Sequence, residues 1–341
     1  MSHAQRLPLI AAALVAACAA RSEAPEQGGS PPGRPNIVFV LSDDHAAQAL
    51  GCYGSEVAHT PNLDALAAEG LRFERFYCGN SICAPARATV LTGVHSHVHG
   101  VIDNGAVFDG SQTTFPQLMQ AAGYQTALFG KWHLKSDPTG FDRWEILPGQ
   151  GHYYNPDLIG PDGKRQVEGY VSEIITDLAL DWLQDDRDPA QPFLLMLHHK
   201  APHRSWEPGP AELGLYSDEL LPEPPTLFDD WAGRASPAAE QEMTVARHMY
   251  DFDMKTNEPK RLTPAQRELW DARYGPENAE LERLGLEGDA LTRWQYQRYV
   301  KDYLRSVAGV DASVGRVMDW LQASGLEGET IFVYTSDQGF Y

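Results

Sequence analysis

Cysteine is scarce in this chain. Only Cys18, Cys52, Cys78 and Cys83 occur among 341 residues, too few for a disulfide framework. Cys52 and Cys78 offer one pairing that nothing in the sequence requires, so two buried thiols are expected. Basic residues are also in deficit: 27 Lys and Arg stand against 47 Asp and Glu, a formal net charge of −20. That balance excludes a general nucleic-acid binder, which needs a basic face. It leaves room for a local basic pocket around an anionic substrate. Long apolar runs are missing as well. The run Leu7–Cys18, which follows Arg6, is too short to cross a bilayer. What is present is a 43% share of apolar residues, enough for a sizeable core in one large domain or two smaller ones.

The first residues read as an export signal spanning 1–18. Val15-Ala16-Ala17-Cys18 resembles a bacterial lipobox, which implies lipidation of Cys18; ordinary cleavage near Ala20 is the alternative. Residues 19–34 are rich in Pro, Gly, Ser and Glu and read as a disordered tether. The expected location is therefore outside the cytoplasm, periplasmic or held at the outer membrane through the lipid.

Four apolar segments have the look of strands buried on both faces. They are Ile37–Leu41 within "NIVFVLSDDH", the run in "YQTALFGKWHL", the run in "PFLLMLHHKAPH", and Ile331–Tyr334 within "TIFVYTSDQG". Helical patterns lie between them. "TPNLDALAAEG" has Thr60 before Pro61 at the first helical position and Gly70 at the end, and "TTFPQLMQAAG" is similar. Val307, Val310, Val314, Val317 and Leu321 repeat at the spacing of one buried helix face. Alternating strands and helices predict an α/β fold with helices on both sides of the sheet. Ligands of such sheets bind at the carboxyl ends of the strands. Each of the four strands ends there in polar residues: Asp43 and Asp44, Lys131 and His133, Lys200 and His203, Asp337 and Gln338. Asp43, Asp44, Asp337 and Gln338 offer only oxygen ligands, a set that selects Ca²⁺ or Mg²⁺ over zinc or copper.

These residues match a family pattern. "CAPAR" at 83–87, followed by Leu91-Thr92-Gly93, resembles the type I sulfatase signature Cys-x-Pro-x-Arg. "PNIVFVLSDDH", "GKWHL", "KAPHRSW" and "SDQGFY" extend the resemblance in the family's order from about residue 35 to the end. It implies a three-layer, alkaline-phosphatase-like sandwich with a mostly parallel central sheet. It also implies that a formylglycine-generating or sulfatase-maturing enzyme oxidises Cys83 to Cα-formylglycine. The hydrated aldehyde would attack sulfur and then expel sulfate, a covalent route with its own exit. By resemblance, Asp43, Asp44, Asp337, Gln338 and the modified Cys83 would bind calcium. Arg87 would steady the gem-diol, Lys131 would hold the diol and a sulfate oxygen, His133 would take a proton, and His203 would face the leaving oxygen. Fixed cations of this kind stabilise the charge that builds on the sulfuryl group. His45 is expected behind the site, and His198 and His199 in strand-end packing. His95, His97 and His99 are read as exposed loop histidines rather than a zinc site.

Within the family, "LPGQGHYYNPDL" and "KAPHRSWEP" look most like bacterial N-acetylglucosamine-6-sulfatases, also called mucin-desulfating sulfatases. A sulfated glycan is then the expected substrate, with Lys200, Tyr154 and Asn155 as candidate substrate-binding residues. Packing in a surface loop is the alternative for the two Tyr153–Asn155 candidates. The Pro- and Glu-rich stretch Glu207–Gly288 is expected to form an insertion over the site. Two other functions stay open. One is a phosphate or phosphonate monoester hydrolase of the same fold; the other is a non-enzymatic glycan-binding lipoprotein, if Cys83 stays unmodified. The resembled sulfatases continue past the position of Tyr341 with a further lysine and a C-terminal subdomain. On that ground 35–341 is read as an incomplete sulfatase N-terminal domain, and low solubility and low activity are expected.

Overall fold

A computed structural model of the chain describes residues 33–339. The export signal, Cys18 and most of the tether lie outside the described residues, as do Phe340 and Tyr341. One compact unit begins at Pro35. Its centre is a seven-stranded sheet in the order β5-β4-β3-β2-β6-β1-β7. The strands are β1 (Asn36–Ser42), β2 (Gln125–Lys131), β3 (Arg143–Leu147), β4 (Asp157–Gly160), β5 (Gly163–Gln166), β6 (Phe193–His198) and β7 (Thr330–Ser336). All pairings from β3 to β7 across the middle of the sheet are parallel. Among the described residues the antiparallel pairings are β3–β4 and β4–β5 at one edge, so that β4 alone runs against the other strands. The four strands expected from the sequence are β1, β2, β6 and β7, and they lie side by side.

Burial on both faces explains why these strands are continuous apolar runs instead of alternating ones. Val38, Val40, Ala127, Phe129, Leu195 and Leu197 point into one core. Their neighbours Leu128, Leu194 and Met196 point into the other. The main helices are α1 (Pro61–Glu69), α2 (Cys83–Thr92), α3 (Phe115–Ala121), α4 (Val171–Asp181), α5 (Pro264–Leu284) and α6 (Gly288–Ala323), with shorter helical turns between. Helix α6 lays Val310, Val314, Val317 and Leu321 into the first core beside Ile174 and Ile175 of α4. Helix α2 lays Ala84, Ala88 and Leu91 into the second. Thr60 precedes α1 as expected but does not cap it: its hydroxyl accepts from Gly51 N at 3.0 Å and donates to Asp64 at 3.2 Å.

The parallel register aligns the chemistry. Ser42 of β1 stands opposite Ser336 of β7, so Asp43 and Asp337 leave adjacent strands at the same level. Gly130 of β2 stands opposite His198 of β6. Lys131 and the loop from Lys200 to Trp206 therefore emerge at that same end. The expected insertion is a run of turns and short helices followed by α5. It braces the loop after β6: Arg204 Nε donates to Asp253 Oδ1 at 2.7 Å, and Lys255 Nζ to the Ser205 carbonyl at 2.7 Å.

Candidate active site

The turn after β1 sets the first two carboxylates. Asp44 adopts φ 66°, a left-handed conformation that Asp tolerates better than most side chains. Tyr303 of α6 fixes this turn, donating to the Asp44 carbonyl at 2.9 Å and accepting from Ala46 N at 2.8 Å. The turn after β7 is tied to it: Asp337 N donates to the Ser42 carbonyl at 3.1 Å, and Asp44 N to Asp337 Oδ1 at 3.2 Å. His45 lies behind, with Nε2 3.1 Å from the Ala49 carbonyl.

Cys83 is the first residue of α2 and is 4% exposed. One turn later, Arg87 is buried with its guanidinium among the acids. Nε donates to Asp337 Oδ2 at 3.1 Å, Nη1 donates to the Lys131 carbonyl at 2.7 Å, and Nη2 lies 3.5 Å from Asp43 Oδ1. The spacing of four in "CAPAR" is what puts both side chains on one helix face. Lys131, fully buried, donates to Asp43 and to Gln150 Oε1. His133 has φ 59°, and its buried Nδ1 has no partner among the described residues. The ring of His203 makes a short hydrogen bond from Nδ1 to the Arg204 carbonyl, which turns Nε2 toward Asp44 Oδ2 at 3.8 Å. Lys200 is buried with its ammonium 4.6 Å from the centre of the Tyr153 ring.

The electrostatics follow from burial among these charges. Burial pushes Asp43 upward, but Lys131 and Arg87 outweigh it and hold the carboxyl well below its usual range. Burial and Asp43 raise Asp44 to about 6 and push Asp337 well above the usual range. Burial, aided by Lys131, lowers His133 to about 4 and Lys200 to about 8. Burial also lowers His203 to about 3. The Cys83 thiol is pushed upward by burial and then by Asp43. A thiol held protonated in this way is a poor nucleophile.

The donor set fits a hard divalent cation. Asp43, Asp44 and Asp337 each bring an oxygen within 4.8 Å of the others, and Asp43, Cys83 and His203 form an overlapping group. Asp43 Oδ1 is buried without a hydrogen bond among the described residues. Three carboxylates this close repel one another, and a cation removes that cost. Gln338 stands at the rim, its amide nitrogen donating to Asp44 and lying 3.5 Å from Cys83 Sγ. Rotation of that amide presents its oxygen to the same point.

The structure thus gathers Asp43, Asp44, Cys83, Arg87, Lys131, His133, Lys200, His203, Asp337 and Gln338 at one end of the sheet. Two of the substrate candidates are corrected. Tyr154 is 3% exposed, donates to the Pro208 carbonyl at 2.6 Å and packs against Tyr170 and Trp270. Asn155 is 5% exposed and is held by Gln266 at 2.8 Å and Gly169 N at 2.8 Å. Their polar groups are already satisfied inside the protein, which leaves no face for a sugar. His198 and His199 are buried at the strand end as expected, against the Lys131 carbonyl and Ser313. His95 and His97 are exposed and stacked, but His99 is buried against Thr89 rather than exposed. Among the described residues Cys52 and Cys78 are unpaired, and Cys78 is exposed instead of buried. Gln150, Asn104 and Tyr303 were not legible as site residues. Asn104 accepts from Ala84 N at 3.0 Å, beside Cys83. Each acts through a loop or a packing contact that no motif marks.

Known proteins resemble this chain in sequence and fold. An N-acetylglucosamine-6-O-sulfatase of Bacteroides thetaiotaomicron is 46% identical over 328 residues, covering 90% of this chain and 58% of that protein. A solved structure described as being in complex with its substrate D-glucosamine-2-N,6-O-disulfate superposes with a TM-score of 0.87 at 44% identity, over 90% of this chain and 66% of the other. A phosphonate monoester hydrolase of Agrobacterium radiobacter shares the fold, with a TM-score of 0.56 at 19% identity, over 90% of this chain and 63% of the other. The chain thus spans roughly three-fifths of the curated relative and about two-thirds of the solved one. The sulfatase family model matches residues 35–341, and the chain belongs to the sulfatase family.

Proposed function

We propose that the protein is an exported hydrolase that cleaves sulfate esters on glucosamine-type sugars. The observation that carries this reading is the convergence of Cys83, Arg87, Lys131, His133 and His203 on the Asp43–Asp44–Asp337 carboxylates. The similarity to an N-acetylglucosamine-6-O-sulfatase supports the sugar. Calcium, held by Asp43, Asp44, Asp337, Gln338 and the group at position 83, would supply a fixed positive charge for the sulfuryl oxygens. Oxidation of Cys83 to formylglycine by a maturing enzyme would supply the nucleophile that the buried thiol is not.

The chain's own residues divide the remaining work. Arg87 pairs with Asp337 and Asp43 and so fixes both ligands and the first turn of α2 that carries position 83. Lys131 and Lys200 present two ammonium groups to an incoming sulfate, and charge that builds on its oxygens is stabilised without reorganisation. His133, neutral near pH 7, has an unpartnered Nδ1 able to accept a proton. His203 offers Nε2 toward the leaving oxygen, with its ring fixed by the Arg204 carbonyl. The leader before residue 19 supports export, and its Cys18 supports a lipid anchor.

The test is co-expression with a formylglycine-generating enzyme, followed by release of sulfate from N-acetylglucosamine 6-sulfate beside release of phosphate from the 6-phosphate. Preferential sulfate release is expected. Preferential phosphate release identifies a phosphomonoesterase of the same fold, and binding without release of either identifies a lectin-like protein.

A further inference from the structure

A second cationic pocket lies between α5 and α6. It has a volume of about 210 Å³ and is walled by Arg273, Arg298, Lys301 and Arg305, with Glu277 as its acid. Glu277 pairs with Arg273 at 2.5 Å and with Arg298 at 2.8 Å. One carboxylate thus serves two guanidiniums. Asp302, behind the wall, takes Arg305 Nη1 at 2.7 Å. That leaves Arg305 Nη2, in a residue that is 0% exposed, with no acceptor among the described residues. Arg273 Nε is buried without an acceptor as well. The Lys301 ammonium makes neither a hydrogen bond nor an ion pair among the described residues, and burial, with Arg305 and Arg273 nearby, lowers its pKa despite Glu277.

Four cations against one lining acid is the reverse of the balance in a chain of net charge −20. Buried donors are ordinarily satisfied, and guanidinium N–H groups in a fork favour an oxyanion. The volume holds several waters at about 30 Å³ each, hence one tetrahedral oxyanion with part of the group that bears it. Arg298 and Arg305 form the buried floor, while Arg273, Lys301 and Trp294 are half-buried at the mouth.

We propose that this pocket binds a tetrahedral oxyanion, either free sulfate or a sulfate ester carried by a glycan. The site is separate from the one built on Cys83 and does not depend on the hydrolytic reading.

Crystals of the chain soaked in selenate, a sulfate analogue with anomalous scattering, locate the anion directly. A peak among Arg273, Arg298, Lys301 and Arg305 is expected. In solution, calorimetric titration with sodium sulfate should show an event that weakens about tenfold in Lys301→Gln and in Arg273→Gln, the loss of one charge-assisted contact. Lys301→Arg should retain it, which separates charge from folding damage. Sulfate release at the Cys83 site should be unchanged in Lys301→Gln. Glucosamine 6-sulfate as a second titrant separates the sources: binding at least as tight as that of inorganic sulfate identifies the ester, and weaker binding the free ion. Absence of a selenate peak, with titrations identical in wild type, Lys301→Gln and Arg273→Gln, would overturn the proposal.

Discussion

The backbone N–H of Asp44 donates to Asp337 Oδ1 at 3.2 Å, joining residues 293 positions apart. The parallel register of β1 and β7 makes this contact, and with it the carboxylate cluster. Asp337→Ala removes one of three close carboxylates and one partner of Arg87. It is expected to abolish calcium binding and sulfate release together, by at least about a hundredfold in rate. Elemental analysis of the purified protein checks the metal; stoichiometric zinc without calcium would exclude the hard-oxygen reading.

Gly130 sits at φ 109° in β2, and a Cβ there would lie 1.9 Å from the His198 carbonyl oxygen. No side-chain rotation relieves a clash with backbone. Gly130→Ala is expected to cost more than about 3 kcal/mol by separating β2 from β6. Urea unfolding measures it, and a cost below about 1 kcal/mol would mean that the two strands are not paired as described.

Lys200 gives the site a pH limit. Its ammonium, lowered to about 8 from an ordinary 10.5, is charged below that pH and neutral above it. Binding of a sulfated sugar is expected to weaken as pH rises through 8, with KM climbing toward about tenfold per unit while Lys200 is the contact. Lys200→Met should show the raised KM at every pH and lose the dependence. The unfolded chain keeps this proton up to the ordinary value, so this residue's contribution makes the fold more stable as pH climbs from about 8 toward 10. A KM that is flat from pH 7 to 9 in the wild type would remove Lys200 from the substrate site.

Tyr154 tests the distinction between packing and recognition. Tyr154→Phe removes the hydrogen bond to Pro208 and keeps the ring against Tyr170 and Trp270. A stability loss of about 1–3 kcal/mol is expected from the stranded carbonyl, with KM unchanged. A raised KM at unchanged stability would restore the sugar-binding role.

Much of the site was legible because strand ends carry it. Asp43, Lys131, Lys200 and Asp337 follow apolar runs whose period shows two-sided burial, and parallel register then brings them together. Cys83 and Arg87 were legible through the resemblance of "CAPAR" to the sulfatase signature; that both sit on one face of α2 emerged only from the structure. The roles of Tyr154 and Asn155 were not, since a Tyr-Tyr-Asn run reads alike whether its hydroxyls meet a sugar or a backbone carbonyl. Gln150 reaches Lys131 from a loop, and Tyr303 reaches the Asp44 turn from a long helix. Such contacts depend on tertiary placement, which local sequence does not encode. The pairing of Arg204 with Asp253 escaped for the same reason, 49 residues apart across irregular chain.

The central claim is that position 83 acts as a converted nucleophile and not as a thiol. Mass spectrometry of the tryptic peptide Phe76–Arg87, from protein made beside a formylglycine-generating enzyme, tests it most directly. The expected result is loss of the Cys83 thiol and a mass matching an aldehyde in its place, with Cys78 intact. An unmodified Cys83 in protein that still releases sulfate would contradict the account.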